Sequence, residues 1–275
     1  MTAIPSLYFV LSLYHLDIVF AFIFGVVFGS FSSFIGFRLF NDDKRFTVTG
    51  LHSACCSCGH KLSIPDLIPI ISFLLLRGKC RYCGARIPIW HFLAELILGI
   101  AFAYAVHSAN GINIVSICLC IIFWCITTQS IIDTRVLLSS DAIHLITLIA
   151  AIVFSISIGN SWQYILSVVL SGIAVFITLS FVMKFFLKKD CIGFGDVKLF
   201  TILSITLSPI QISIFMTLSG VIGILYFVTK SIKITQNSNR SYNLSLNFKN
   251  QPFPFIPAIS IAFLLAFYFK IEILQ

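Results

Sequence analysis

The residues LDIVFAFIFGVVFGSFSSFIGFRLF, at Leu16–Phe40, form the first long apolar run of the chain. Its only charged residues, Asp17 and Arg38, stand near its two ends. A helix needs about 20 predominantly apolar residues to cross the hydrocarbon core of a bilayer. The run therefore predicts a transmembrane helix, and similar runs follow along the rest of the sequence.

The composition extends this prediction to the whole chain. Of its 275 residues, 59% are hydrophobic and 10% are charged, whereas a soluble domain has about 25% charged residues. The mean hydropathy is +1.03, so lipid must solvate the apolar excess. We predict an all-α polytopic membrane protein with about eight transmembrane helices. The predicted spans are Leu16–Phe40, Ile87–Val106, Ile112–Ile132, Ala142–Ile158, Trp162–Leu187, Val197–Leu207, Ile210–Val228 and Phe253–Phe269.

Basic residues alternate between the predicted loops. The loops after the first, third, fifth and seventh spans are basic, with residues that include Lys44, Arg81, Arg135, Lys188 and Arg240. Cytoplasmic loops are enriched in Lys and Arg, so these four loops are predicted to be cytoplasmic and both termini to lie outside. The alternation also requires the short run Val197–Leu207 to cross the membrane.

The same distribution argues against nucleic-acid binding. The net charge is +8, but it is divided among short loops between apolar runs, as in the cytoplasmic loops of membrane proteins. Residues Met1–Phe20 contain no Lys or Arg, whereas a cleaved signal peptide begins with positive charge. The first apolar run is therefore expected to stay as a membrane anchor, and lipid rather than nucleic acid is the expected environment.

The largest soluble segment, residues 41–88, contains two copies of a Cys-x-x-Cys-Gly unit. Cys55 and Cys58 form the first pair, and Cys80 and Cys83 form the second. Four thiolates on two tight turns are typical of structural zinc sites, and a glycine after each pair allows a positive φ. A segment of this size buries little core, so a metal would supply the missing folding free energy. We predict a small cytoplasmic zinc-binding loop domain after the first helix.

Disulfides and free thiols are the alternative interpretations of these cysteines. A cytoplasmic loop lies in a reducing compartment, which weighs against disulfides. Cys56 stands beside Cys55 and could replace it as a ligand. Four cysteines would close the coordination sphere, so the zinc would be structural and would not activate water. The predicted divisions are residues 1–40 as the first helix, 41–88 as the loop domain and 89–275 as the transmembrane core.

Two acidic residues lie at the ends of predicted spans. Asp133 follows the third apolar run and Asp196 precedes the sixth. The predicted topology places both at the cytoplasmic ends of their helices, where two neighbouring carboxylates would share one proton because like charges repel. Such a pair can hydrolyse a peptide by general acid–base catalysis, without a covalent intermediate. Simpler roles stay open, since Asp196 could cap its helix and Asp133 could pair with Arg135.

Four further residues are candidate supporting residues. Gly193 and Gly195 precede the second acid in the sequence GFGD, and glycine lets a backbone approach an extended peptide closely. Lys198 is interpreted as an anchor for this loop at the headgroups. Glu95 lies well inside the second span, where an acid is costly and often functional. A structural hydrogen bond between helices is the alternative for Glu95.

These motifs, in this order, resemble the type IV prepilin leader peptidase family over almost the whole chain. The matching segments are GSFSSFIGFRL at Gly29–Leu39, the paired cysteine loop, IIDTRVLLSSD around Asp133, GFGDVKL around Asp196 and PFIPAISIAF at Pro254–Phe263. The sequence departs from the family pattern at Ile256, where the family usually has glycine.

The resemblance implies a GxGD membrane aspartyl peptidase of the bacterial inner membrane, with Asp133 and Asp196 as the catalytic pair. It implies that prepilins or pseudopilins are the substrates, cleaved on the cytoplasmic side after a glycine that precedes their apolar helix. It also implies N-methylation of the new N-terminus by S-adenosylmethionine, although no Gly-rich nucleotide-binding sequence indicates where this cosubstrate binds. Two alternatives stay open: a peptidase without methyltransferase activity, and a non-enzymatic transporter or scaffold with a zinc-stabilised loop.

Overall fold

The structure, a computed structural model, describes residues 7–39, 53–187, 193–236, 242–246 and 253–273. Some sequence predictions fall outside these residues. They are the boundary between the first helix and the loop domain, and the basic residues Lys44, Arg45, Lys188, Lys189, Arg240 and Lys249.

Helices make up most of the described chain, and each of the eight predicted spans corresponds to one of them. The helices are α1 Leu7–Arg38, α2 Ile71–Leu75, α3 Ile89–Ser108, α4 Ile114–Val136, α5 Asp141–Ser157, α6 Trp162–Leu187, α7 Phe194–Ser204, α8 Pro209–Ser231 and α9 Ile256–Ile273. A 3-10 turn, Ile64–Leu67, precedes α2 in the cysteine loop. The prediction of an all-α polytopic membrane protein is confirmed.

The helices differ in how well they fit a bilayer. Four apolar segments are long enough to cross it: His15–Arg38, Ile89–Ser108, Ile114–Val136 and Pro209–Thr229. The helix α5 and the described apolar parts of α6 and α9 are shorter, and α7 has 11 residues. The number of full crossings is therefore approximate, and α7 is the shortest of the eight.

A two-stranded hairpin follows α8, in a segment that the sequence analysis treats as a loop. Strand β1 is Ile232–Gln236 and strand β2 is Tyr242–Leu246. They pair antiparallel, with Ile232 opposite Leu246. Both strands alternate apolar and polar residues along most of their length, which is the pattern of a strand, so the sequence analysis missed a signal that is present in this segment.

The helices α1 and α3 pack with their backbones close together. A Cβ on Gly25 would overlap the carbonyl oxygen of Leu98, and a Cβ on Gly29 would lie 2.5 Å from the Cα of Glu95. Small residues at such crossings let transmembrane helices approach closely, and dispersion forces then hold them together. This packing fixes the first half of α3, which contains Glu95, against α1.

The centre of the bundle is a cluster of fully buried aromatic side chains. Phe123 of α4, Phe154 of α5, Phe215 of α8 and Phe263 of α9 are each at most 1% exposed. The rings of Phe215 and Phe263 meet edge to face, with their centroids 5.9 Å apart. Phe123 precedes Asp133 by ten residues, so the cluster lies about 15 Å along α4 from that acid. The cluster holds the four helices in place while leaving their polar ends free to form a site.

Hydroxyl groups tie α4 to its neighbours nearer to Asp133. Thr128 of α4 donates to Ser32 of α1 over 3.1 Å, and Ser130 of α4 shares a 2.8 Å hydrogen bond with Ser260 of α9. Hydrogen bonds of this kind between transmembrane helices are worth about 0.6–2 kcal/mol. They fix the orientation of the last turns of α4 relative to both neighbours.

Candidate active site and metal centre

Asp133 lies in the last turn of α4 and is 6% exposed. Its Oδ2 atom accepts a hydrogen bond of 3.0 Å from the backbone N–H of Ile256, the first residue of α9. The first N–H groups of a helix have no partner within the helix, so an acid placed there satisfies one of them. The C-terminal segment that carries the family resemblance thus contacts the first of the two acids directly.

Asp196 lies in the first turn of α7, whose N-cap is Gly193. The carboxylate of Asp196 folds back and accepts a hydrogen bond from the backbone of Gly193. A Cβ on Gly193 would lie 2.8 Å from Oδ2 of Asp196, so a larger residue would displace the acid. This contact within the loop requires a glycine at position 193, and the close approach of the backbone to a substrate stays a prediction.

The two acids come from different helices and interact electrostatically with each other. The helix α7 packs against α5 and α9, and α9 packs against α4. These contacts connect the end of α4, which carries Asp133, to the start of α7, which carries Asp196. The structure brings together the two carboxylates that the sequence analysis singles out, and their catalytic role stays a prediction.

Gly195 makes a tight contact with the loop between α4 and α5. A Cβ on Gly195 would overlap the hydroxyl oxygen of Ser139 and would lie 2.9 Å from the Cβ of Ser139. Because Ser139 belongs to the connection between Asp133 and α5, the contact links the two loops that carry the acids. Gly195 therefore serves the close packing of these loops.

We expect Gly195→Ala to lower the stability of the protein by about 1–3 kcal/mol, since the added methyl group overlaps Ser139. Ser139→Gly removes both clashing atoms and should restore stability and cleavage in the double variant. Gly220→Ala is the control for thermal stability alone, because a Cβ there would meet nothing within 4 Å. Thermal unfolding in detergent measures the stability of the wild type, Gly195→Ala, the double variant and Gly220→Ala. A stable Gly195→Ala variant, or a double variant that is not rescued, would contradict the contact.

Lys198 forms an ion pair, and its role as an anchor at the headgroups stays a prediction. Its Nζ lies 2.8 Å from Oδ1 of Asp141, the first residue of α5, and 4.6 Å from the centroid of the Phe194 ring. The Lys198 side chain is 35% exposed and that of Asp141 is 81% exposed, so solvent screens the pair and it adds little to stability. It ties the first turn of α7 to the first turn of α5.

His144 is a residue of this site that the sequence analysis misses. It is 4% exposed, and neither ring nitrogen has a hydrogen-bond partner among the described residues. Its Nε2 atom lies 3.8 Å from the position of a Cβ on Gly195. A polar residue in an apolar helix, three residues after Asp141, is the signal that could have identified it.

An apolar cavity of about 340 Å³ lies beside Asp196, between α6, α7 and α8. Besides Asp196, its walls include Gly172 of α6, Gly220 of α8, Met216 of α8 and Phe255. Small residues on α6 and α8 keep the space between these helices open. The second acid thus faces a space suited to apolar side chains.

The four cysteines of the two repeated units converge on one point. The sulfur atoms of Cys55, Cys58, Cys80 and Cys83 all lie within 4.8 Å of one another, and those of Cys55 and Cys83 are 3.9 Å apart. Sulfurs around one tetrahedral zinc ion are about 3.8 Å apart, given a Zn–S bond of about 2.3 Å. The cluster therefore fits zinc. Cys56 is not part of it.

The two halves of the cluster have the same backbone structure. In the first, Gly59 has a φ of 71° and its N–H donates to the carbonyl of Cys55. In the second, Gly84 has a φ of 69° and its N–H donates to the carbonyl of Cys80. Positive φ favours glycine, as the sequence predicts. The internal repeat is thus a repeat of two equivalent turns, each of which presents two of the four cysteines.

The carboxylate of Asp66 connects the segment between the two cysteine turns to the second of these turns. Asp66 accepts hydrogen bonds from the hydroxyl and N–H of Ser63, from Nε of Arg81 and from the hydroxyl of Tyr82. The bond from Ser63, followed by those from Arg81 and Tyr82, lowers the pKa of Asp66 to about 2. The acid is therefore ionised at neutral pH and holds the segment in one conformation.

Glu95 connects the cysteine loop to the membrane helices. It is 9% exposed, and its Oε2 accepts a hydrogen bond of 2.7 Å from the N–H of Ile70, just before α2. The hydroxyl of Ser30, on α1, is a second hydrogen-bond partner. A hydrogen bond between helices, which was one of the two alternatives for Glu95, is present together with one to the loop, and a functional role stays open.

The chain matches two sequence families of known proteins. Residues 23–109 match the family described as "Bacterial Peptidase A24 N-terminal domain", and residues 119–228 match the "Type IV leader peptidase family". The first match contains the four cysteines and Glu95, and the second contains Asp133 and Asp196. No solved structure matches the chain.

Curated relatives cover most of the chain. A "Prepilin leader peptidase/N-methyltransferase" of Bacillus subtilis is 28% identical over 255 residues, which are 92% of this chain and 95% of the relative. A protein of the same name from Vibrio cholerae is 25% identical over 74% of this chain and 82% of its own length. A "Type 4 prepilin-like proteins leader peptide-processing enzyme" of Escherichia coli is 29% identical over 64% of this chain and 66% of its own.

Proposed function

Because the chain belongs to the type IV leader peptidase family, we propose that it is a membrane aspartyl endopeptidase that removes the leaders of prepilins or pseudopilins. The observation that carries this proposal is the pairing of two carboxylates, Asp133 and Asp196, from helices far apart in the sequence. Both lie in the segment that matches the peptidase family.

The pair acts by general acid–base catalysis. One carboxylate accepts a proton from a water molecule as its oxygen attacks the scissile carbonyl carbon, and the other donates a proton to the carbonyl oxygen or the leaving amine. The N–H of Ile256 holds the Asp133 carboxylate in place, and the backbone of Gly193 does the same for Asp196. Preorganised groups of this kind need little rearrangement during the reaction.

The cavity between α6, α7 and α8 receives the apolar part of the substrate. Its walls are mainly apolar, and Asp196 is in contact with it. A substrate with a leader ahead of an apolar membrane helix places its scissile bond where the two regions meet. Binding of apolar side chains from the start of that helix in the cavity brings the bond to the two acids.

The protein resides in the bacterial inner membrane, as its apolar helices and its family support. The excess of Lys and Arg in alternate loops supports a cytoplasmic loop domain, a cytoplasmic active site and termini on the outer side. In this arrangement residues 1–40 anchor the chain, residues 41–88 form the loop domain, and residues 89–275 form the peptidase core.

Zinc is held by Cys55, Cys58, Cys80 and Cys83, whose sulfur atoms fit tetrahedral coordination. When bound, the ion supplies folding free energy to the loop domain. All four of its coordination positions are taken by protein, so peptide hydrolysis depends on the two aspartates alone.

The protein also methylates the N-terminus that cleavage exposes, with S-adenosylmethionine as the methyl donor. Support for this second activity comes from the relatives whose names include N-methyltransferase and from the match of residues 23–109 to the N-terminal domain family.

Purified protein in detergent, incubated with a prepilin and S-adenosylmethionine, tests both activities at once. Mass spectrometry should show loss of the leader followed by gain of one methyl group. Cleavage without the methyl group identifies a peptidase that lacks the second activity, and an intact prepilin would contradict the proposed function as a whole.

A further inference from the structure

A second cavity, of about 440 Å³, lies between the cysteine loop and the helices α1, α3 and α4. Its walls include Ser72 and Phe73 of α2, Trp90 and Glu95 of α3, and Arg135 of α4. Small-molecule sites have volumes of about 300–1,000 Å³, mostly apolar walls and a few fixed polar groups. This cavity has all three properties.

Glu95 is the fixed acidic group of this cavity. An ionised carboxylate can accept about four hydrogen bonds. The carboxylate of Glu95 accepts one from Ile70 and one from Ser30. Ile70 has a φ of 60°, which is strained for a β-branched residue. The loop thus adopts an unfavourable backbone conformation at the residue that contacts Glu95, and the acid keeps capacity for a ligand.

Arg135 supplies a cation in the same cavity. Its guanidinium carbon lies 4.2 Å from the centroid of the Phe37 ring, and its Nη1 lies 3.5 Å from the carbonyl oxygen of Gly36. A cation beside aromatic walls suits a ligand that carries a carboxylate and a heteroaromatic ring, and Glu95 remains available for the amine of a second molecule. S-Adenosylmethionine and its demethylated product have both of these groups, so the residues present fit this class of ligand.

The cavity is close to the peptidase site but separate from it. Arg135 follows Asp133 by two residues on α4, and two residues turn a helix by about 200°. The two side chains therefore leave α4 on opposite sides. Asp133 points to α9, whereas Arg135 points to α1 and the cavity. An N-terminus released at the aspartates can reach the cavity by moving around one helix.

We propose that this cavity is the methyl-transfer site, which takes a sulfonium nucleoside of the S-adenosylmethionine type, and that Glu95 binds the amine of the shortened substrate there. The inference rests on the proposed function, since cleavage must supply the amine. The N-terminal ammonium first gives one proton to Glu95. The amine lone pair then forms a bond to the methyl carbon of the sulfonium while the bond between that carbon and sulfur breaks. The electron pair of the broken bond stays on the sulfur, which becomes a neutral thioether.

Two variants and one control test the site in the zinc-loaded, full-length protein. Ser72→Phe places a ring in the cavity. Leu75→Phe introduces the same ring on the same helix, at a residue that is 78% exposed and does not line the cavity. Glu95→Gln removes the charge but keeps an oxygen that can accept the N–H of Ile70. The probes are S-adenosylhomocysteine, measured by calorimetry, and an already shortened prepilin, measured by methyl transfer.

We expect Ser72→Phe to weaken binding of S-adenosylhomocysteine at least about tenfold, with Leu75→Phe behaving as wild type. Glu95→Gln should bind the probe within about threefold of wild type but methylate the shortened prepilin at least about 100-fold more slowly. Leader cleavage and zinc content, measured in parallel, verify that each variant is folded.

Two results would overturn the assignment. One is wild-type probe binding by Ser72→Phe, and the other is wild-type methylation by Glu95→Gln. A wild-type protein that cleaves prepilin but neither binds the probe nor methylates would be a different failure. It would remove the methyltransferase part of the proposed function, and this inference with it, while leaving the peptidase in place.

Discussion

Asp133→Asn and Asp196→Asn should each lower the rate of leader cleavage at least about 10³-fold, while the protein still accumulates in the membrane. Asparagine keeps the size of the side chain but can neither accept the proton of water nor carry the shared proton, and general acid–base catalysis contributes about 10²–10⁴-fold per group. The rate is measured with purified variant and prepilin in detergent. Asp→Ala variants should be equally inactive.

Asp141→Asn is the matched control for this experiment. Asp141 lies near the same end of the bundle, and its pair with Lys198 is exposed and screened by solvent. We expect it to cleave within about fivefold of wild type. If either Asp133→Asn or Asp196→Asn retained full activity, the two-aspartate mechanism would be wrong.

Cys58→Ser and Cys83→Ser should each remove zinc and destabilise the loop domain. A structural zinc ion contributes about 10–16 kcal/mol of apparent binding free energy in small zinc domains, and three thiolates cannot complete its coordination. We expect metal analysis to show about one zinc ion per wild-type chain and little in these variants. The same variants should also be more sensitive to proteolysis between residues 53 and 88.

Cys56→Ser provides the control, because Cys56 is adjacent to the cluster in sequence but is not part of it. It should keep its zinc and its resistance to proteolysis. Wild-type protein purified without oxidation and found to contain no zinc would contradict the assignment. Loss of zinc in Cys56→Ser would instead identify Cys56 as the ligand that replaces Cys55.

The membrane helices were predictable because crossing a bilayer requires long apolar runs. The residues at which these helices end were harder to predict. The predicted third span stops at Ile132, whereas α4 continues to Val136 and ends where Leu137 adopts a φ of 56°. The apolar run ends at the first charged residue, but the backbone hydrogen bonds of the helix continue past that residue. Asp133 therefore lies within the last turn of the helix and not beyond it.

The metal cluster was predictable for a different reason. The spacing of Cys55 and Cys58, repeated at Cys80 and Cys83, encodes each turn locally. The surroundings of Asp133 could not be predicted from the residues near it in the sequence. The backbone N–H of Ile256, which donates to its carboxylate, comes from a distant segment, and every residue except proline has such a group. The contact between Gly195 and Ser139 likewise depends on how two distant loops meet.

The amide of Ile256 that holds Asp133 belongs to α9, which follows both aspartates in the chain and is the last helix among the described residues. During synthesis, both aspartates leave the ribosome before this helix does. A nascent enzyme thus already contains its two acids but lacks the group that holds one of them in place. We therefore expect leader cleavage to begin only after α9 has been inserted, so that the incomplete enzyme cuts neither itself nor its neighbours.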